Sequence, residues 1–144
     1  VGAAMWRSQL GLSVDDLQAL SKDIGFTGHL SMDDLTAVVG GAKAMIFPSY
    51  FEGFGIPLVE AMNAGCPIVS SNKTSLPEVA GDAAILCDPD DIDTIALEMK
   101  NILNDQLRLT YIEKGFENAK KFNWNTTASE LWNSIENTLE SLKK

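Results

Sequence analysis

At 144 residues, with 45% hydrophobic and 22% charged side chains, the chain has the length and composition of one globular domain able to bury a real core. Twenty acidic residues against eleven basic ones leave a formal charge of −9, which excludes a nucleic-acid partner, because phosphate backbones are held by clustered lysine and arginine. The basic doublets Lys120-Lys121 and Lys143-Lys144 read as solvated helix ends rather than a binding patch.

Taken in order, Val1 to Ala4 reads as the end of a strand, and Ser13 can cap a helix carrying Val14, Leu17 and Leu20. Ile24 to Thr27 reads as a second short strand, ended by Gly28. Ser31 caps a further helix with Asp34 in its first turn and Met32, Leu35, Val38 and Val39 at helical spacing, and Gly40-Gly41 is expected to stop it. Ala44 to Phe47 is short, apolar and closed by Pro48, as suits a parallel strand covered on both faces. Pro57 then falls where a first helical position belongs and Gly65 where the helix ends. Pro67 to Ser70 is another strand, Leu76 to Ala80 a short helix, and Ile85 to Cys87 the last strand. This alternation predicts an α/β fold, a parallel sheet with helices on both faces and right-handed crossovers.

The last third holds no strand pattern. Ile92, Ile95, Ala96, Met99, Ile102 and Leu103 keep a helical period behind a cap at Asp90 or Asp91. Leu109, Ile112, Phe116 and Ala119 form a second such stripe, and Ala128, Leu131, Trp132, Ile135, Leu139 and Leu142 a third. These are three amphipathic helices. The face around Trp124 and Trp132 is read first as core, with a contact surface as the alternative. Cys66 and Cys87 each flank an apolar run and read as buried free thiols, without the spacing of a disulfide framework or a zinc site. No apolar run approaches the roughly 18 residues that span a bilayer and no signal-peptide pattern opens the chain, so a cytoplasmic location is expected.

The stretch from Phe47 to Gly65 carries the chemistry. A strand feeding Gly53-Phe54-Gly55 and then a helix of about two turns places unpaired backbone N–H groups at the carboxyl edge of a parallel sheet, an arrangement that attracts phosphate. Two glycines allow positive φ or the close approach of a ligand. Glu60 is the only charged residue between Gly53 and Gly65, in a segment otherwise lined by Leu58, Val59, Ala61, Met62 and Ala64, which predicts a buried helix. Beside a phosphate site, Glu52 and Glu60 suit sugar hydroxyls, from which a carboxylate accepts paired hydrogen bonds. The plainer reading is that both merely complement the helix dipole.

Glu52-Gly53-Phe54-Gly55, Pro57-Leu58-Val59-Glu60-Ala61 and Gly65-Cys66-Pro67-Ile68-Val69 together resemble the Glu-x7-Glu signature of the family-4 retaining glycosyltransferases of the GT-B fold, within glycosyl transferases group 1. The likeness extends through Phe26-Thr27-Gly28, Ser71-Asn72, Leu76-Pro77-Glu78-Val79 and Gly81-Asp82-Ala83-Ala84 to Asp88-Pro89. It implies a Rossmann-like donor-binding domain, the carboxyl-terminal half of a two-domain enzyme, with extra carboxyl-terminal helices. It also implies that Glu60 meets the ribose of a nucleotide sugar, that Glu52 lies at the transferred sugar as the catalytic carboxylate, and that the amides of Gly53, Phe54, Gly55 and Ile56 meet sugar hydroxyls and diphosphate. Backbone groups of Gly28, His29 and Leu30 are implied near the nucleobase. No metal or other cofactor is implied, and the acceptor, a glycan or lipid, belongs to the other domain. The resemblance places the final helical segment toward that domain and allows a parent at the inner membrane face. A non-catalytic nucleotide-sugar-binding or interaction module is the competing reading.

The resembled domain opens with a strand and loop bearing a basic pair that neutralises the diphosphate, and Val1 falls after it. The expectation is therefore a single domain over residues 1–144, amino-terminally truncated, inactive alone and open to homo-oligomer formation through its sheet. Asp88-Pro89-Asp90 mimics a metal-binding Asp-x-Asp but sits between a strand and a helix start, where such residues are turn and cap residues. His29 has no neighbour in sequence to orient it as a base. Gly53-Phe54-Gly55 lacks the third small residue of a dinucleotide fingerprint, and Pro57 intrudes.

Overall fold

The computed structural model describes residues 23–142, and the chain divides after Val38 into two compact units. The expected strand end at Val1 to Ala4 and the helix behind Ser13 lie outside the described residues. In the first unit Ile24 to Thr27 is irregular rather than a strand. A strand exists through its ladder, and these residues enter none among the described residues. Gly28 takes the left-handed conformation at φ 65°. Ser31 caps helix α1 (Met32–Gly41): its Oγ accepts the Asp34 N–H at 3.2 Å and donates to the Asp34 carboxylate at 2.7 Å. Leu35 is half-buried, whereas Met32 and Val38 are exposed. The helix takes in Gly40 and ends at Gly41, the second of the two glycines expected to stop it.

The second unit is built on three parallel strands, β1 (Met45–Phe47), β2 (Ile68–Ser71) and β3 (Ala84–Cys87), in the order β1-β2-β3. Ile68 lies opposite Met45 and Ala84, and Val69 opposite Ile46 and Ile85. Parallel neighbours require a crossover, supplied here by α2 (Ile56–Asn63) and by the short α3 (Leu76–Ala80). Three helices follow: α4 (Ile92–Asn101), α5 (Asp105–Ala119) and α6 (Trp124–Ser141).

The pleat sorts alternate residues into two cores. Met45, Phe47, Ile68, Ala84 and Leu86 join Leu58, Ala61, Met62, Leu76 and Val79 of α2 and α3 on one side. Ile46, Val69, Ile85 and Cys87 join Ile95, Ile102, Leu107 and Tyr111 on the other. The sheet is thus covered on both faces, and β2, buried at every position, reads as an unbroken apolar start because neither of its faces meets water. Cys66 and Cys87 are free and buried, and burial raises both thiols above their ordinary range.

Helix α5 packs along α2, and Gly65 makes that possible. A Cβ there would lie 2.9 Å from Cζ of Phe116, and its φ of 68° places it just past the helix end. The Gly65 N–H bonds the Met62 carbonyl and the Cys66 N–H the Ala61 carbonyl, the paired bonds of a Schellman stop. Asn118 ties α5 to α3, its buried amide donating to the Val79 and Ala80 carbonyls at 2.8 and 3.1 Å.

Helix α6 departs from expectation. Asn123 caps it, accepting the N–H groups of Asn125 and Thr126. Yet Trp124 is 82% and Trp132 60% exposed, and Leu131, Ile135, Leu139 and Leu142 are exposed with them. Its helical period is as clean as that of α5, but the core reading of its stripe is corrected: periodicity selects the apolar face of a helix and does not supply an element to bury it.

Candidate functional site at the carboxyl edge of the sheet

All three strands point their carboxyl ends to one edge, where the connections Pro48 to Gly55, Asn72 to Ser75 and Asp88 to Asp91 emerge. Three sets of side-chain bonds join them. Between the first and second connections, the Glu52 N–H donates to Thr74 Oγ1 at 3.1 Å, and Ser75 Oγ lies 2.9 Å from the carbonyls of both Glu52 and Phe54. Between the second and third, Lys73 Nζ meets Asp88 Oδ2 at 2.6 Å. Between the first and third, the Tyr50 hydroxyl donates to Asp90 Oδ1 at 2.9 Å.

The local conformations are specific. Gly55 is the N-cap of α2 at φ 104°, ψ 43°, a region closed to most side chains, and Pro57 follows at the first turn. Gly55 is also packed against Leu76, so both uses of a glycine apply there. Gly53 has neither a positive φ nor a neighbour near its missing Cβ, and it stands exposed. Thr74 is the one described non-glycine residue with positive φ, at 52°. For a β-branched residue this conformation is strained.

Glu52 is half-buried, and its Oε1 accepts the Ser49 hydroxyl at 2.9 Å. Glu60 is exposed, which corrects the expectation of a buried helix: Leu58, Ala61 and Met62 form the covered face of α2, while Ile56, Glu60 and Asn63 form the open one. Helix α2 is amphipathic, and its eight residues are too apolar in composition for sequence to separate the two faces. Among the described residues no hydrogen bond or ion pair engages the Glu60 carboxylate, and no acceptor takes the N–H of Gly53, Phe54, Gly55 or Ile56. Phe54 itself is half-exposed and meets Phe122 edge-on, ring centres 5.8 Å apart. Gly28, His29 and Leu30 belong to the first unit, the first two exposed and Leu30 half-buried.

The Asp88-Pro89-Asp90 run is engaged as turn and cap. Asp88 Oδ1 accepts the Asp90 N–H at 3.1 Å while its other oxygen holds Lys73, whose hydrogen bond keeps the carboxyl below the ordinary carboxylate range and the ammonium above the ordinary lysine range. The hydrogen bond to Asp90 likewise raises the Tyr50 phenol. Asp91, not Asp90, caps α4, accepting the Thr94 N–H at 2.9 Å. Ser49, Tyr50, Lys73, Thr74 and Ser75 are the members of this edge that sequence reading passed over. Their only linear signal is a run of polar residues directly after a buried strand.

The model of the family described as glycosyl transferases group 1 matches residues 6–122. The chain belongs to that family. Among its curated relatives, O-antigen chain mannosyltransferase B of Escherichia coli is 38% identical over 114 residues, 78% of this chain and 30% of that protein. MMP alpha-(1->4)-mannosyltransferase of Mycolicibacterium hassiacum is 35% identical over 116 residues, covering 77% and 28%. Glycogen synthase of Mycobacterium tuberculosis is 32% identical over 108 residues, covering 72% and 26%. The chain therefore spans less than a third of the length of these glycosyl transferases. The family match takes in the whole carboxyl edge and ends at Phe122, before α6. Among the described residues no helix is long and apolar enough to cross a membrane.

Proposed function

We propose that the parent of this chain is a retaining family-4 glycosyltransferase of the GT-B type and that the chain is its nucleotide-sugar-binding part. The observation that carries the reading is the stretch Gly53 to Ile56 entering α2 with its N–H groups open and with the Glu60 carboxylate, on the exposed face of the first turns, free of partners among the described residues. A cleft that binds a diphosphate between two hydroxyl-bearing groups needs those parts: donors for the phosphates, and acceptors on either side for hydroxyls.

In this reading Glu60 accepts the ribose hydroxyls and Glu52 stands at the transferred sugar. The amides from Gly53 to Ile56 bond sugar hydroxyls and diphosphate, and the N-terminus of α2 stabilises negative charge growing on the departing phosphate. Backbone groups of Gly28, His29 and Leu30 are assigned to the base. The names of two relatives favour a nucleotide-activated mannose among hexose donors. The acceptor, a glycan or lipid, is bound by the part of the parent that this chain does not span. Charge on the diphosphate is met by amides and side chains rather than by a metal ion, a reading supported by Asp88, whose two oxygens take Lys73 and the Asp90 N–H, and by Asp90, one oxygen of which takes the Tyr50 hydroxyl.

The test is transfer by the full-length protein from GDP- or UDP-hexoses to a glycan acceptor, with the product anomer read by NMR. Transfer with the donor's configuration kept, undiminished by EDTA, is expected. An inverted anomer removes retention, and activity lost to EDTA and restored by Mn²⁺ removes the metal-free reading.

A further inference from the structure

Ser75 occupies the N-cap position of α3, where a serine ordinarily accepts an N–H of the first turn. It makes no such bond. Its hydroxyl turns instead to the preceding connection and is shared between the carbonyls of Glu52 and Phe54, 2.9 Å from each, across 23 and 21 residues of sequence. In a trans peptide the carbonyl and the following N–H point in opposite directions, and no cis bond is present among the described residues. Drawing those two carbonyls toward Ser75 therefore aims the N–H groups of Gly53 and Gly55 away from it, and neither N–H has an acceptor among the described residues.

Two more hydroxyls act on the same segment. Thr74 is held in its strained left-handed conformation while its Oγ1 accepts the Glu52 N–H, and Ser49 donates to the Glu52 carboxylate. Three hydroxyl side chains from two connections are thus committed to Glu52 and Phe54, and one of the three residues that supply them bears backbone strain. Folding alone gives no account of this, since Thr74 is exposed and Ser75 caps nothing with its side chain.

We propose that Ser75, supported by Thr74, is a positioning residue for glycosyl transfer: it fixes the peptide planes that aim the Gly53 and Gly55 amides at the donor and sets the backbone from which Glu52 reaches the transferred sugar. The proposal rests on the function proposed above. Its reacting-state consequence is that loss of the hydroxyl affects turnover more than ground-state binding of the nucleotide, because contacts at the reacting sugar and at the departing phosphate strengthen along the reaction while the Glu60 contact to the ribose does not.

The experiment compares wild type, Ser75→Ala and Ser75→Thr in the full-length protein, with three readouts: turnover of a GDP- or UDP-hexose, affinity for GDP and UDP, and thermal midpoint. Ser75→Ala is expected to lower kcat by about tenfold to a hundredfold, the scale of a misaimed reacting group, with a smaller loss of nucleoside diphosphate affinity and a thermal midpoint close to wild type. Ser75→Thr, which keeps the hydroxyl, recovers most of the loss. Unchanged kcat in Ser75→Ala overturns the proposal, as does a loss shared equally by kcat, affinity and thermal midpoint, which marks a merely structural residue. Wild type that neither binds GDP or UDP nor turns over their hexose conjugates overturns the functional reading itself, and that outcome is visible before any variant is made.

Discussion

Gly55 lies so close under Leu76 that a methyl group built on its Cα would stand 2.7 Å from the Leu76 Cδ2, and Leu76 is fully buried. The contact joins the loop of the candidate site to the core across the start of α3. It makes Gly55 a structural requirement as well as a site residue, whereas Gly53, two positions earlier, is in open space.

Gly55→Ala is therefore expected to cost stability. A side chain at φ 104° costs about 1–2 kcal/mol and the overpacking of Leu76 about 1–3 kcal/mol more, for a total of roughly 2–5 kcal/mol in urea unfolding. Gly53→Ala should lie within about 0.5 kcal/mol of wild type, as surface changes do, and yet weaken nucleotide-sugar binding by crowding the amide face. Equal stability losses in the two variants would contradict the assignment.

Glu60→Ala should leave the thermal midpoint unchanged, because its carboxylate has no partner among the described residues, while weakening nucleoside diphosphate binding in the full-length protein. Glu52→Ala should act mainly on turnover, since contacts at the reacting sugar strengthen along the reaction and ribose contacts do not. Calorimetric titration of GDP and UDP separates the two; affinity unaltered by Glu60→Ala takes Glu60 away from the ribose.

Asn118→Leu removes the buried amide that serves the Val79 and Ala80 carbonyls, and Lys121 loses its Asn118 Oδ1 partner. The Ala80 carbonyl keeps the Ala83 N–H, so the Val79 carbonyl is the acceptor left unmet; that costs about 1–3 kcal/mol, and a loss of this size is expected by urea titration, with the m-value retained. A near-neutral result would mean that water reaches the end of α3.

The Lys73–Asp88 bridge predicts a pH dependence with a definite sign. Lys73 depresses the Asp88 value, so this contribution is present above the unfolded carboxylate value and is lost as pH falls through the depressed one. Asp88 raises Lys73, so that contribution is present below the unfolded lysine value and is lost as pH rises through the raised one. Asp88→Asn should lower the thermal midpoint slightly at neutral pH, both side chains being about 40% exposed, and the two melting curves should converge in acid. A gap that persists below the carboxylate range would assign the effect to the turn rather than the charge.

What the sequence by itself determined is what arises within a few residues of chain. Ser31 as a cap, Pro57 and Gly65 as the bounds of α2, Leu76 to Ala80 as a helix and the three long helical periods are all present, because caps, proline and glycine act through the nearest hydrogen bonds. The choice between Asp90 and Asp91 as the cap of α4 lay one residue below that resolution. Strand formation at Ile24 to Thr27, the open face of α2 and the exposure of Trp124 and Trp132 were decided by tertiary structure, because each depends on what stands beside the element and not on its own pattern. The same holds for the site: Glu52 and Glu60 are legible as a spaced pair, but the bonds from Thr74 and Ser75 to Glu52 span 22 and 23 residues and exist only because β1 and β2 are parallel neighbours ending at one edge.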